Sequence, residues 1–474
     1  MALTSWKWGE QKCFASKRYA SDDRHTSGKA DVMAASPTTK TANASRALPY
    51  KRIRPIFADH LGVARSKYLP LAAAGHGTKH CMTMFAQHFD KQMTPTTPHS
   101  GFLTGLPDVE AVYDLDDTRP GWDEGVGVVV ADLHYEGTLL AHAPRTVLRR
   151  AIEAWQARGL TPMVGIELEA YVLEPNATGG WKAIDTPGGM TYGVGPFVDP
   201  HGLIDDIMEM AERCGYPLES VNSEYDVPQF EMTLRYGEAL AAVDNVFLFK
   251  QMAQEIARKK GLHLTFLGKP FAHLAGSGLH VNFSLNDKRG RNAFNEPSKR
   301  YGLSDAARHS IGGLLEHHEG MTAICAPTVN AYKRLKPGTL AGVWANWGLD
   351  HRNATVRVPK ERDAGTRVEY RLPDGSANPY LATAAVLRAA LLGVENTIEP
   401  PPIEDGDAFE TANTERRTPA NLGTACDALE ADDAFVEAFG REAVEVHLAI
   451  KRDEWRKFND AVTDWELNYY MNVL

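Results

Sequence analysis

Five widely separated segments alternate apolar and polar side chains with the period of two that is typical of β-strands. In the first, VGIELEAYVL (residues 164–173), Ile166 and Leu168 belong to the apolar face, and Glu167 and Glu169 to the opposite face. The other four are PQFEMTL, LHVNFSL, ATVRVP and RVEYRL. A strand as apolar as the first is expected in a core, where two like charges are costly unless a cation neutralises them.

The polar faces of these strands carry Glu, His, Asn, Ser and Arg but no Lys. An antiparallel sheet with one face in water would also alternate, but a solvated face usually includes Lys and mixed charges. The pattern therefore favours a binding site. The candidate metal ligands are Glu167, Glu169, Glu224, Glu231, His280 and Glu369. Five carboxylates with one imidazole suit Mg²⁺ or Mn²⁺ better than zinc.

Four arginines accompany these ligands, at positions 334, 352, 357 and 371. Their guanidinium groups bind phosphates and carboxylates through paired hydrogen bonds. Divalent cations combined with such arginines are typical of phosphoryl transfer.

Three regions are predicted along the chain. Residues 1–49 are polar, without a hydrophobic period, and are expected to form a flexible arm. Residues 50–142 are expected to form a small β-rich domain, and residues 143–474 a larger mixed domain. The latter includes an amphipathic helix beginning near Pro144, a buried helix in ANPYLATAAVLRAALLGVE, a polar loop at residues 396–423 and a helical C-terminal part.

Composition excludes several classes of protein. The 474 residues include 51 basic and 61 acidic side chains, a formal charge of −10, which disfavours nucleic acid or an anionic membrane as a partner. Five cysteines without CxxC spacing and the lack of a membrane-spanning apolar run favour a cytoplasmic protein without disulfides.

Six motifs, from about residue 50 onward, resemble in type and order those of the glutamine synthetase family. They are ELEAYVL, NSEYDVPQFE, GSGLHVNFSL, NAYKRLKPG, RNATVRVP and RVEYRLPDGSANPYLA. The resemblance implies an α+β fold, with a β-grasp domain over 50–142 and a catalytic domain over 143–474 whose curved antiparallel sheet forms a metal-lined funnel. It also implies a homo-oligomer, commonly a dodecamer of two hexameric rings, with active sites between subunits.

The implied chemistry depends on ATP and on two or three Mg²⁺ or Mn²⁺ ions per site. The γ-carboxylate of L-glutamate becomes an acyl phosphate, which an amine attacks, because a carboxylate itself is a poor electrophile.

The resemblance assigns roles to individual residues. One metal would be bound by Glu169, Glu224 and Glu231, and a second by Glu167, His280 and Glu369. Arg334 and the Gly276 backbone would bind the α-carboxylate of glutamate, and Arg352 and Arg371 would be catalytic. The nucleotide would contact Glu219, Tyr236, Asn282, Ser284, Arg357 and Arg367.

The sequence departs from the ammonia-using members of this family at Leu340, where they carry an acid that binds and deprotonates ammonium. Leucine there favours a larger, apolar amine such as aniline, with Leu340 and either Trp344 or Trp347 lining its pocket; core packing of these tryptophans is the alternative. The chain could instead be an ordinary glutamine synthetase that uses another acid, such as Asp108, or a non-catalytic assembly protein. All six predicted metal positions are filled, which disfavours the last of these.

Overall fold

The computed structural model describes residues 48–94 and 97–474. The predicted arm, residues 1–49, lies outside the described residues except for Leu48 and Pro49. No helix in these ranges is long and apolar enough to cross a membrane.

In the described part of residues 50–142, short strands form two sheets. The strands are β1 Arg52–Ala58, β2 Ala64–Ser66, β3 Leu69–Pro70, β4 Thr78–Cys81, β5 Asp108–Val112, β6 Arg119–Pro120, β7 Val126–Val130, β8 Asp132–Tyr135 and β9 Thr138–Leu139. One sheet has the order β2-β1-β7-β6, with β3 also on β1, and the other has the order β4-β5-β8-β9. Ile53, Phe57 and Phe85 belong to a core of their own. The β-grasp assignment stays a prediction.

The remaining strands form one large sheet. They are β10 Thr161–Pro175, β11 Trp181–Ala183, β12 Leu218–Ser223, β13 Gln229–Glu238, β14 His263–Thr265, β15 Leu279–Asn286, β16 Trp347–Leu349, β17 Val356–Val358 and β18 Val368–Tyr370. The order is β12-β13-β10-β15-β18-β17-β16, with β11 and β14 also on β10. All five alternating segments contribute a strand to this sheet, as predicted.

The prediction of a purely antiparallel sheet is wrong at one edge, because β16 and β17 pair in parallel. Residues 350–355 connect the end of β16 to the start of β17. They return the chain to the end of the sheet at which β16 began, so both strands run in the same direction. Closure of the sheet into a funnel stays a prediction.

The helices are α1 Pro144–Gln156, α2 Leu203–Cys214, α3 Ala239–Lys259, α4 Asp305–Glu316, α5 His318–Cys325, α6 Pro379–Glu395, α7 Leu422–Ala431, α8 Asp433–Phe439, α9 Arg441–Asp460 and α10 Asp464–Tyr470. The helix predicted near Pro144 is α1, and the predicted buried helix is α6. The predicted helical C-terminal part is interrupted: the Asp432 side chain accepts a hydrogen bond from the Phe435 amide and starts a new helix.

The apolar face of β10 packs into the main core of the protein. Ile166, Leu168 and Ala170 are fully buried among residues of α3 and α6, which leaves the opposite face of the strand for Glu167 and Glu169. The helical layer therefore lies on one side of the sheet, and the polar side chains lie on the other.

Buried and partly buried polar contacts join the small sheets to this body. The Asn378 side chain, at the start of α6, donates to the Asp59 carbonyl over 2.9 Å. Arg145 in α1 donates to Asp132 of β8, and it also donates to both oxygens of Asp244 in α3, over 2.9 and 2.8 Å. The boundary predicted between residues 142 and 143 falls just before α1 and stays a prediction.

Helices α4 and α6 approach each other closely where both carry a glycine, Gly313 in α4 and Gly393 in α6. A β-carbon on Gly313 would lie 2.1 Å from the Ala389 carbonyl oxygen and 2.6 Å from the Gly393 nitrogen, so only glycine permits this approach.

Gly313→Ala should therefore lower the free energy of unfolding by roughly 1–3 kcal/mol through overpacking, measured as a lower urea midpoint. Gly237→Ala is the matched control, because a β-carbon there meets nothing within 4 Å. Equal midpoints for the two variants would contradict the close crossing.

Candidate active site

Strand register brings the predicted metal ligands together. On β10, Glu167 lies opposite His280 of β15, and Glu169 lies opposite Glu231 of β13. On β18, Glu369 is paired with positions on β15 and β17. Residues directly opposite on adjacent strands have β-carbons roughly 5 Å apart, close enough for their side chains to interact. Residues distant in sequence thus become neighbours on one face of the sheet.

The closest of these groups have the composition of a cation site. Ligand atoms of Glu167, Glu231 and His280 all lie within 4.8 Å of one another. His280 Nδ1 is 3.3 Å from a Glu167 oxygen, and His280 Nε2 is 3.7 Å from a Glu169 oxygen. Carboxylate oxygens with one imidazole fit Mg²⁺ or Mn²⁺. The three residues come from both of the predicted metal-binding sets, so the division of the ligands between two metals stays a prediction.

The electrostatics of this cluster also favour a bound cation. Burial, followed by the charges of Glu167, Glu224 and Glu169, raises the pKa of Glu231 to about 8. Burial and then Glu169 also raise the pKa of Glu224. A divalent cation would favour the ionised form of both carboxylates, since an adjacent positive charge stabilises a carboxylate.

Glu369 is in a different environment from the other glutamates. Its side chain is fully buried, where Arg357 donates to it over 2.7 Å and Arg371 donates to its other oxygen. Burial alone would raise its pKa, but Arg371, His280 and Arg357 lower it to about 2. Arg357 was predicted to contact nucleotide and Arg371 to be catalytic; the structure gives both a bond to Glu369, which their sequence pattern did not indicate.

Two residues that were not assigned from the sequence orient Glu169. The Gly278 amide donates to a Glu169 oxygen over 2.6 Å, and Gln229 Nε2 lies 3.3 Å from the same oxygen. Gln229 also donates to the Gly276 carbonyl over 3.0 Å. Its position on the polar face of PQFEMTL was the signal that could have identified it.

Arg334 and Gly276, the predicted glutamate-binding pair, are in direct contact. A β-carbon on Gly276 would lie 2.6 Å from Arg334 Cγ, so a side chain there would displace the arginine. Arg334 is buried and donates to the carbonyls of Leu372 and Arg371 over 2.7 and 3.2 Å. These bonds fix the guanidinium group between the glycine and β18.

A cavity of about 470 Å³ opens beside the metal cluster. Its lining includes five of the six predicted nucleotide residues, namely Glu219, Tyr236, Asn282, Ser284 and Arg367. The sixth, Arg357, instead binds Glu369 and Asp350.

Asn282 connects this cavity to the metal cluster. It donates to Glu167 over 3.0 Å and accepts a hydrogen bond from Arg367 over 3.2 Å. A ligand in the cavity would therefore lie next to Glu167, one of the candidate metal ligands.

Leu340 and the predicted catalytic residue Arg352 lie on exposed loops, whereas the two tryptophans predicted to line the amine pocket are buried. Leu340 is 53% exposed, and its carbonyl is 3.5 Å from Arg371 Nη2. Arg352 is exposed in the turn before β17. Trp344 and Trp347 are only 8% and 3% exposed, and Trp347 belongs to the main core, which favours core packing over a pocket shared with Leu340.

Asp108, the predicted alternative acid, is exposed at the start of β5 in a small N-terminal sheet.

Comparison with known proteins places these motifs in one family. A family model described as the catalytic domain of glutamine synthetase matches residues 141–470. The glutamine synthetase of Clostridium saccharobutylicum is 36% identical over 343 residues, covering 71% of this chain and 77% of its own. That of Pyrococcus abyssi is 34% identical over 444 residues, covering 89% and 97%.

Solved structures with the same fold include two of GmaS. The ligand-free form has a TM-score of 0.78 and 30% identity, with 89% of this chain and 97% of that chain covered. An ADP complex of GmaS has a TM-score of 0.78 and 31% identity, with 90% and 97% covered.

The raised pKa of Glu231 leads to a pH dependence of metal binding. Below pH 8 the metal-free Glu231 holds a proton that an incoming cation must displace. The apparent affinity for Mn²⁺ should therefore rise as the pH increases towards 8, by up to about tenfold per unit, and level off above it. Calorimetric titration with Mn²⁺ in buffers of different ionisation enthalpy measures both the affinity and the proton release.

Glu231→Gln is the informative variant, since it keeps the shape of the side chain but cannot exchange this proton. It should bind Mn²⁺ at least about tenfold more weakly and with a flatter pH profile. Glu430→Gln, an exposed glutamate on α7, is the control and should behave as the unsubstituted protein. An unchanged slope in Glu231→Gln would exclude Glu231 as the titrating ligand.

Proposed function

The chain belongs to the glutamine synthetase family, and we propose that it joins the γ-carboxylate of L-glutamate to an amine other than ammonia. Members of the family are ATP-dependent ligases that form carbon–nitrogen bonds and use Mg²⁺ or Mn²⁺. The amine, the individual residue roles and the assembly are the proposed part.

ATP would bind in the cavity beside Asn282, in contact with Glu219, Tyr236, Ser284 and Arg367. The size and the lining of this cavity support the assignment, as does the ADP bound by the structurally similar GmaS. The cations held by the glutamates and His280 would neutralise charge on the phosphates. Arg334 and the Gly276 backbone would bind the α-carboxylate of glutamate.

The reaction would proceed in two steps. A γ-carboxylate oxygen of glutamate attacks the γ-phosphorus of ATP, the bond to the bridging oxygen breaks, and ADP leaves. The nitrogen of a neutral amine then attacks the acyl carbon, phosphate leaves with the electron pair of the carbon–oxygen bond, and one proton passes from the nitrogen to the departing phosphate. Arg371, already fixed by Glu369, would stabilise the transferring phosphoryl group, and Arg352 would approach from its exposed turn.

The observation that carries the choice of amine is Leu340. Its side chain is apolar and half exposed on the loop that contacts Arg371. Ammonium would require a carboxylate to bind it and accept its proton, whereas an apolar or aromatic amine gains by covering an exposed leucine. We favour an aromatic amine of the aniline type, which is neutral at pH 7.

Ordinary glutamine synthesis is the second candidate, and a specific observation favours it. The Glu410 carboxylate lies beside the same loop, 2.8 Å from where a β-carbon on Gly338 would be. An acid is therefore available near Leu340, although it comes from a distant part of the sequence rather than from Asp108. The glutamine synthetases among the relatives support this candidate as well. A non-catalytic assembly role is disfavoured because all six metal positions carry ligating residues.

We also propose a homo-oligomer, with a dodecamer of two hexameric rings as the favoured form, in the cytoplasm. The exposed aromatic and aliphatic side chains at the end of the chain support self-association. Those more than half exposed include Trp465 (63%), Tyr469 (65%), Val473 (85%) and Leu474 (94%). Several exposed apolar side chains close together in the chain are typical of an interaction surface, whereas a single one would need no explanation.

An amine panel tests the proposed function directly. Phosphate release from ATP would be measured with L-glutamate, Mg²⁺ or Mn²⁺, and ammonium, methylamine, isopropylamine, ethanolamine, putrescine or aniline, with products identified by mass. We expect turnover with an organic amine, aniline foremost, and little with ammonium. Turnover chiefly with ammonium would make this a glutamine synthetase, and no turnover with any amine would contradict both enzymatic candidates.

Leu340→Glu should shift preference towards ammonium, because the new carboxylate can bind the cation and accept its proton. The ratio of kcat/KM for ammonium to that for the best organic amine should rise at least about tenfold, or about 1.4 kcal/mol. Leu340→Gln, polar and similar in size but uncharged, is the matched control. Equal ratios in the two variants would show that charge at this position does not select the amine.

A further inference from the structure

One segment of the polar loop after α6 contacts both exposed loops of the acceptor side. We call residues 404–410 the clamp segment, residues 336–343 the flap, which carries Leu340, and residues 350–354 the Arg352 turn. From the sequence, the clamp segment was predicted only to be part of the polar loop at residues 396–423.

The flap is attached to this polar loop at both of its ends. The Gly338 amide donates to the Phe409 carbonyl of the clamp segment over 2.9 Å. At the base of the flap, the Thr418 amide donates to the Val343 carbonyl, also over 2.9 Å. Leu340, between these attachments, keeps an exposed side chain.

The Arg352 turn is attached to the same segment on both sides of the arginine. His351 Nε2 donates to the Gly406 carbonyl over 2.7 Å, and Asn353 Nδ2 donates to the Asp407 carbonyl over 2.6 Å. The backbone is thus fixed on each side of Arg352, while its own side chain stays exposed to solvent and available to a ligand.

Glu404 organises the clamp segment from within. Its side chain is 6% exposed and accepts three hydrogen bonds: from the Gly406 amide over 3.0 Å, from Asn346 Nδ2 over 3.0 Å and from the Asn413 amide over 2.9 Å. Its own amide donates to the Trp347 carbonyl over 2.8 Å. Three donors on two oxygens require a carboxylate, because a glutamine would present an N–H group to at least one of them.

A short chain of hydrogen bonds continues from Glu404 to Arg371. The Asn346 side chain, which donates to Glu404, accepts from the Thr355 amide over 3.1 Å. The Thr355 carbonyl accepts from the Arg371 amide over 2.9 Å. The clamp segment is thereby tied to the backbone of Arg371, the residue directly after β18.

We propose that Glu404 is a positioning residue for the acyl-transfer step: it fixes the clamp segment, which holds the flap and the Arg352 turn at a set distance from each other and from Arg371. This rests on the proposed function, since it presumes that Leu340 faces the amine and Arg352 the acyl intermediate. The residues that line the nucleotide cavity belong to other segments, so Glu404 acts on the acceptor side and leaves ATP binding untouched.

The test compares Glu404→Gln with Asp405→Asn, which removes a carboxylate from the next, exposed residue. Hydrogen exchange should become faster in the flap and the Arg352 turn of Glu404→Gln and stay unchanged in β10 and β13. In steady-state kinetics of the full oligomer, kcat should fall at least about tenfold, since small misplacements of catalytic groups have effects of this size, with KM for ATP within twofold. Asp405→Asn should change neither measurement.

Unchanged exchange in the two loops of Glu404→Gln would overturn the proposal, as would a rise in KM for ATP equal in size to the fall in kcat. A general rise in exchange would do the same, because it would show only loss of the fold. If Glu404→Gln fails to assemble, Asn353→Ala is the second variant, because it removes one hydrogen bond to the clamp segment. Hydrogen exchange should then become faster in the Arg352 turn and stay unchanged in the flap. Unchanged exchange in the Arg352 turn would overturn the proposal. The exchange measurements need no substrate, so they test the proposal even if the proposed activity is not found.

Discussion

Glu167, Glu169 and Glu231 lie on neighbouring strands of one sheet face, where their charges oppose one another. Two unit charges 4 Å apart repel by about 4 kcal/mol at an effective dielectric constant of about 20. Burial, followed by this repulsion, raises the pKa of Glu231 to about 8. Shifts of this kind are typical of functional sites, where a bound cation would compensate for the repulsion, so the cluster favours a cation site.

The structure neutralises its glutamates in two ways. Glu369 is paired with two arginines, Arg371 directly after its own strand and Arg357 of β17, and it therefore stays ionised even though it is fully buried. Glu231 and Glu224 have no arginine within salt-bridge distance in the described residues, and a divalent cation would favour their ionised forms. The sheet thus has one end that its own arginines compensate, beside Arg371, and another end that a bound metal would compensate. A phosphate between the two ends would meet arginine on one side and metal on the other.

The sheet and its polar face could be predicted from the sequence because both follow from a local rule. Alternation assigns Glu167 and Glu169 to one face without any knowledge of the fold, and the motif resemblance then supplies the partners from the other strands. What could not be predicted depends on contacts between distant segments. The bonds of Arg357 and Arg371 to Glu369, the burial of Trp344 and Trp347, and the approach of Glu410 to the flap all require the packed structure. The parallel pairing of β16 with β17 was missed for the same reason, since alternation fixes the face of a strand but not its direction.

The difference between local and long-range determinants also separates the two parts of the function. The candidate metal ligands and much of the cavity lining lie on paired strands, whose register leaves each side chain little freedom, so the sheet would fix the chemistry that activates glutamate. The amine, in contrast, would meet Leu340 and Arg352 on loops whose positions depend on hydrogen bonds to residues 404–410. Loops tolerate substitution far better than paired strands do. A change of acceptor amine could therefore arise in the flap and in the segment that holds it, without disturbing the strands that carry the candidate metal ligands and line the cavity.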